Sequence, residues 1–240
     1  MFDTFKVLLI ASLRDKMTVF WSILFPIILM LILGSIRSDL VYREQLLATV
    51  VAMGILFNGI YGLSFDILLN RNNGIFKILR ITPFNTAKFI FIFSLSKIVL
   101  SLITAYFSLI AGILIYQFDY SIINIISLLP LFMAGILCFS FIGFSIGKIA
   151  ILGNKVSLIA SLIAMPLLFL SNSFYTIPDD QNFLQLLAKI NPFNFFVQST
   201  QELLTGDIQK IGLTYLILGI LCFTSFLFAV ITFRWEVKHD

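Results

Sequence analysis

The stretch Ile122–Gly147, IINIISLLPLFMAGILCFSFIGFSIG, contains no charged side chain, and its reading decides the fold. At 1.5 Å rise per residue, about twenty apolar residues match a hydrocarbon core roughly 30 Å thick. The block is continuous, not an amphipathic stripe with a solvated face. It reads as a membrane span.

Working outward, comparable blocks occur at 17–36, 46–69, 89–116, 156–172 and 211–233. The expected fold is an all-α membrane protein with six transmembrane helices in one domain, residues 1–240. Composition agrees, with 60% hydrophobic and 12% charged residues, where a soluble domain carries about a quarter charged. Pro26, Pro130 and Pro166 fall inside three of the blocks. Each proline frees a carbonyl one turn earlier that must be satisfied inside the protein, which favours a packed bundle. The block at 89–116 would reach roughly 42 Å, so it must tilt, kink or protrude.

The basic residues give the orientation. With the N-terminus inside, Lys6, Arg14, Lys16, Arg71, Lys77, Arg80, Lys88, Lys148, Lys155, Arg234 and Lys238 are cytoplasmic. Arg37, Arg43, Lys189 and Lys210 lie outside, and Lys97 sits within the third span, shallow enough to snorkel inward. Both termini are therefore expected in the cytoplasm, including the tail 234–240. Residues 1–16 have Phe2, Phe5, Leu9 and Leu13 at helical spacing. They read as an interfacial helix or as the cytoplasmic start of the first span. The first block lacks a small-x-small cleavage pattern and is expected to be retained.

Several function classes are excluded. The formal net charge is +4, but the basic residues are scattered singly and form no stripe for a phosphate backbone, so nucleic acid is not a partner. Cys138 and Cys222 lie in apolar blocks, and the lone histidine is His239 near the C-terminus; no metal site or histidine relay is expected in the membrane. The run from Gly143 ends in Gly147-Lys148, but Ile149 follows where a nucleotide-binding P-loop has Ser or Thr. No catalytic constellation is visible, and no cofactor is expected in the chain. Buried carboxylates and repeated halves, the marks of ion-coupled transport, are also missing. Asp66 stands about one turn from Arg71 and reads as locally paired.

Two loops carry pattern. In Arg71–Phe84, Asn72-Asn73-Gly74 is a turn signal. Ile75, Ile78 and Leu79 then form one face of a short helix, with Lys77 and Arg80 elsewhere on it and Pro83 stopping it. Its apolar face needs either the membrane surface or a cytoplasmic partner. The outer loop 173–210 reads as two short helices. Phe183, Leu184, Leu187 and Ile190 form the apolar face of the first. Asn191 is placed to cap the second, with Pro192 at its first position, and Phe193, Phe196, Val197, Thr200 and Leu204 run on to Gly206. Neither is long enough to span, so a re-entrant or interfacial hairpin and a simple cap on the bundle both remain open. Gly143 and Gly147 form a GxxxG for helix packing, and Asn58, Gly59 and Gly62 line the second span.

The order of these parts resembles the type-2 ABC transporter permease family across nearly the whole chain. The parts are Leu24-Phe25-Pro26, Arg71…Gly74…Leu79…Thr82-Pro83, Phe169-Leu170-Ser171-Asn172-Ser173-Phe174, and Asn191-Pro192-Phe193 leading into Gln198 to Leu204. The chain departs from the pattern at Asn72, Asn172 and Gln201, where members often carry an acid, a glycine and a basic residue. The resemblance implies a permease subunit of an ATP-driven exporter, paired with a second copy or a paralogue. A separate ATP-binding subunit would hold the ATP and Mg. It implies that Arg71, Gly74, Ile75, Lys77, Ile78, Leu79, Arg80 and Pro83 belong to a coupling helix, with a second contact at 147–155. It also implies that Phe183, Leu187, Asn191, Pro192, Phe193 and Phe196 form an outer gate. A lipid-like, peptide or drug-like cargo suits the aromatic, weakly charged interior, and the expected location is a bacterial cytoplasmic membrane. The alternative from another class is an immunity or sensor protein that binds a toxic peptide at 173–210.

Overall fold

The long apolar blocks form helices because lipid offers no partner for a free N–H or C=O, and the helix satisfies both internally. A computed structural model describes residues 24–37, 39–74, 86–149, 153–171, 173, 182–206 and 211–232. The helices are α1 (Phe25–Ile36), α2 (Leu40–Phe57 continued through Asn58–Gly62 and Leu63–Asn72) and α3 (Thr86–Tyr116). Then come α4 (Ile122–Ile149), α5 (Gly153–Phe169), α6 (Asn182–Ile190), α7 (Pro192–Thr205) and α8 (Ile211–Thr232). No strand occurs among the described residues.

Among the described residues, four helical stretches are long and apolar enough to cross a membrane: Leu40–Asn72, Ile98–Tyr116, Ile122–Gly147 and Gly212–Ile231. Phe25–Ile36 and Lys155–Phe169 are apolar but shorter. The expected interfacial helix at 1–16, the start of the first span and the tail 234–240 lie outside the described residues.

The second helix begins at Leu40 instead of near residue 46, so Arg43 and Glu44 belong to its first turns and not to a loop. The charge is tolerated there because Arg43 is occupied. Its Nη2 donates to the Gly34 carbonyl at 3.4 Å, and its guanidinium lies 5.4 Å from the Tyr116 ring centroid. Tyr116 in turn donates its hydroxyl to the Met30 carbonyl. This ties α1, α2 and α3 together at one end of the bundle.

The largest buried side chains are Phe132, Phe139 and Phe144 of α4, Phe193 and Phe196 of α7, Met30, and a run of α2 residues. The core therefore sits around α2, α4 and α7, with α8 packed along α4. The outer surface is the reverse of a soluble protein's. Phe107 and Leu114 on α3, Leu162 on α5 and Ile220, Phe223 and Ile231 on α8 are each at least half exposed. In water such patches would drive association; against acyl chains they are the ordinary surface.

Candidate functional site

Two features break the regular bundle, one in the middle of α2 and one at the α7 end. The first is a π-helical turn at Asn58–Gly62. Here α2 and α4 meet backbone to backbone. A Cβ added at Gly59 would lie 2.6 Å from Phe139 Cβ, and one at Gly147 would lie 2.8 Å from the Ser64 carbonyl oxygen. At Gly143 it would strike the Gly59 carbonyl itself. Gly143 and Gly147 thus face the second helix, and only glycine permits the approach.

The π-turn also carries the bundle's uncharged polar links. Asn58 Nδ2 donates to Thr104 Oγ1 of α3 at 3.3 Å, and the Tyr61 hydroxyl lies 2.9 Å from Ser161 Oγ of α5. Asn58 stood out in the sequence as an amide inside an apolar block, but its partner on α3 did not. π-turns are rare insertions that concentrate at functional positions.

The second feature is α7. Asn191 caps it, its Oδ1 accepting from the Phe193 N–H at 3.0 Å, and Pro192 opens its first turn. Gly206 ends it with φ 82°, a left-handed conformation suited to glycine, and its N–H reaches the Glu202 carbonyl at 2.9 Å. Between those caps the helix is driven into the bundle. Phe193 and Phe196 are fully buried. The Phe196 ring packs 5.9 Å from that of Phe139 and 6.3 Å from that of Phe132, centroid to centroid. It occupies a notch left by Gly135, where an added Cβ would come within 2.6 Å of the ring. Gly135 lies thirteen residues into α4, so Phe196 reaches about 20 Å along that helix.

Polar groups fasten the wedge at its margins. Asn191 Nδ2 donates to the Leu167 carbonyl of α5 at 2.7 Å, Asn124 Nδ2 to the Leu204 carbonyl at 3.0 Å, and Ser199 meets Thr214 of α8 at 2.7 Å. The first turns of α2 hold the segment after α5, with Gln45 Nε2 donating to the Ser173 carbonyl at 3.3 Å and the Thr49 hydroxyl at 3.0 Å from the same oxygen. The short helix α6 stays outside. Ala188 is buried, while Phe183, Leu186 and Ile190 are exposed. Of the outer-gate residues, the structure brings Phe193 and Phe196 into the core, and Leu187, Asn191 and Pro192 to a groove beside α5.

At the opposite end of α2, Arg71 lies in the last helical turn, and Gly74 has φ 72° with its N–H bonded to the Arg71 carbonyl. Ile75, Lys77, Ile78, Leu79, Arg80 and Pro83 lie outside the described residues. No group of three metal-ligating side chains occurs among the described residues.

The sequence model for the ABC-2 type transporter matches residues 5–205. The chain belongs to the ABC-2 type transporter family. It is the transmembrane, permease component of an ABC-type transporter and lacks an ATPase of its own. ABC-2 membrane proteins work with ATP-binding subunits, which supports a partner of that kind. No curated protein matches the sequence at a significant level.

Proposed function

We propose that this ABC-2 permease is the path-forming subunit of an exporter in a cell membrane, paired with a second copy or a paralogue. The observation that carries the reading is the reach of α2. As one helix of 33 residues it spans about 50 Å; Arg71 and Gly74 stand at one end, and the Gln45 and Thr49 contacts beside α7 lie toward the other. Closure of the ATP-binding subunits, pressing on the segment from Arg71 to Pro83, would move α2 about its π-turn and shift the seat of the α7 wedge. The cargo is an apolar or amphipathic molecule, lipid-like, peptide or drug-like. What supports this is that the buried polar residues among those described, such as Asn58, Thr104 and Ser108, carry amides and hydroxyls; they can bind a weakly polar cargo but do not compensate a strong charge.

The test is co-reconstitution of the chain with its ATP-binding subunit in proteoliposomes. Wild type should stimulate ATP hydrolysis and support ATP-dependent movement of an amphipathic dye. Double charge reversal, Lys77→Glu with Arg80→Glu, should abolish stimulation while the chain still inserts. Unchanged stimulation and partner binding would remove the coupling role. Binding of a peptide at 173–210 without any ATP-dependent flux would favour a receptor-like protein instead.

A further inference from the structure

Ser64 stands five positions after Gly59 on α2, yet both meet α4. A Cβ at Gly59 would lie 2.6 Å from Phe139 Cβ and 3.0 Å from the Ser140 nitrogen. The Ser64 hydroxyl bonds the Gly143 carbonyl at 2.8 Å. A Cβ at Gly147 would lie 2.8 Å from the Ser64 carbonyl oxygen and 2.9 Å from Ile67 Cβ. In an α-helix, at about 100° per residue, positions 59 and 64 would point roughly 140° apart. A π-turn closes i to i+5 and so holds one residue more than an α-turn. Discounting that residue brings Ser64 to about 40° from Gly59, and Ile67 to about 20° on its other side. The turn at Asn58–Gly62 is what lays both halves of α2 on one row of α4.

Packing does not require the surplus residue. A Cβ at Gly62 would meet nothing nearer than Asn58 Oδ1 at 4.0 Å, so Gly62 fills no tight space. A plain α-helix one residue shorter would present the same face, without a glycine that costs about 1 kcal/mol against alanine in a helix. The ties to the neighbouring helices also divide at the turn. Asn58 holds α3 through Thr104, whereas Tyr61 holds α5 through Ser161, and farther along Leu68 packs with Val156 of α5. The polar link from the far half to α4 can open without orphaning a donor. The Ser64 hydroxyl also reaches the Ile60 carbonyl of its own helix and keeps that acceptor.

We infer that Asn58–Gly62 is a hinge at which residues 63–72 and α5 swing together away from α4, and that Gly62 is the residue that creates it. This rests on the proposed action of ATP-binding subunits at the Arg71 end of α2.

The full chain in proteoliposomes with its ATP-binding subunit provides the test. Deletion of Gly62 should leave a chain that folds and binds the partner like wild type, yet moves an amphipathic dye at least tenfold more slowly. Deletion of Gly54, from the α-helical part of α2, should instead prevent folding, since it turns one half of the helix by about 100°. Ile67 is fully buried, and Ile67→Cys, with Cys138 and Cys222 changed to alanine, reports the swing in the undeleted chain. A membrane-permeant maleimide should react with it at least tenfold faster when a non-hydrolysable ATP analogue occupies the partner subunit. After deletion of Gly62 it should react at the nucleotide-free rate throughout. The hinge is ruled out if the Gly62 deletion misfolds or transports normally, or if Ile67→Cys never responds to nucleotide. Wild type that moves no dye but exposes Ile67→Cys would sink the export reading and keep the hinge.

Discussion

The Ser64 hydroxyl of α2 lies 2.8 Å from the Gly143 carbonyl of α4, sharing its proton with the Ile60 carbonyl of its own helix. The contact is possible only because Gly143 lets the two backbones touch. A side chain at that position must push α4 away from the π-turn, and it breaks the Ser64 bridge as it does so. Gly143→Ala should therefore destabilise the bundle by about 1–3 kcal/mol, the range for overpacking a tight core. Gly54, in the same α2 helix but with nothing within 4 Å of an added Cβ, is the control. Gly54→Ala should be neutral or stabilising by up to about 1 kcal/mol, because alanine loses less backbone entropy in a helix. Thermal unfolding of both variants in detergent separates steric from propensity effects.

The Gly135 notch and the Phe196 ring give a second prediction. Phe196→Ala should cost about 3–5 kcal/mol if the bundle does not collapse into the space, and α7 should leave its seat. Gly135→Val should do the same from the other side by expelling the ring. A cysteine in place of the buried Ser199 reports the event. It should resist a membrane-impermeant maleimide in the native background and react at least tenfold faster in either variant. An unreactive Ser199→Cys in both would mean that α7 is held by its polar contacts and not by Phe196.

The depth of α7 explains which parts of the molecule were legible from sequence. Hydrocarbon-length blocks are a one-dimensional signal, so the positions of α2, α3, α4 and α8 could be read directly. Caps are local as well; Asn191, Pro192 and Gly206 mark the ends of α7 with side-chain and backbone chemistry contained in a few residues. What could not be read depends on partners far apart along the chain. Gly135 meets Phe196 and Asn58 meets Thr104 only after folding, and neither member of those pairs names the other. Arg43 was misleading for a related reason. A charged residue at the edge of an apolar block reads as loop until Tyr116 and the Gly34 carbonyl are placed around it. In the Arg71–Pro83 segment the turn signal Asn72-Asn73-Gly74 is local and legible, and Gly74 takes φ 72° with its N–H on the Arg71 carbonyl.

Asn191 serves two masters, and two substitutions separate them. Asn191→Ala loses both the cap on the Phe193 N–H and the bond to the Leu167 carbonyl, and should destabilise by about 1.5–3 kcal/mol, summing a cap of roughly 0.5–2 with one further hydrogen bond of about 1. Asn191→Asp can still cap, but it places a carboxylate oxygen against the Leu167 carbonyl, where the amide donated. If capping dominates, the aspartate variant should approach wild type. If the tie to α5 dominates, it should be as unstable as the alanine variant. The 2.7 Å bond to Leu167, shorter than the 3.0 Å cap, favours the second outcome. Denaturation midpoints measured in the same detergent decide between them.

Tyr120, between α3 and α4, supplies a prediction with a pH signature. Its hydroxyl is buried without a hydrogen-bond partner. Burial raises its pKa above the ordinary tyrosine value, and the nearby Glu44 carboxylate raises it further. The neutral phenol is thus the form that the fold accepts. Below about pH 10 the folded and unfolded chains both carry that neutral form, and ionisation costs nothing. Above it the unfolded chain loses the proton first, so the unfolded state binds fewer protons and stability falls as pH rises. Tyr120→Phe removes this contribution. The difference in unfolding temperature between wild type and variant should widen in the variant's favour from about pH 9 to pH 11. At neutral pH the variant should match wild type or gain up to about 1 kcal/mol, because it deletes a buried donor that has no acceptor. Destabilisation at neutral pH would show instead that the hydroxyl has an acceptor in the membrane, such as an ordered water or a lipid headgroup.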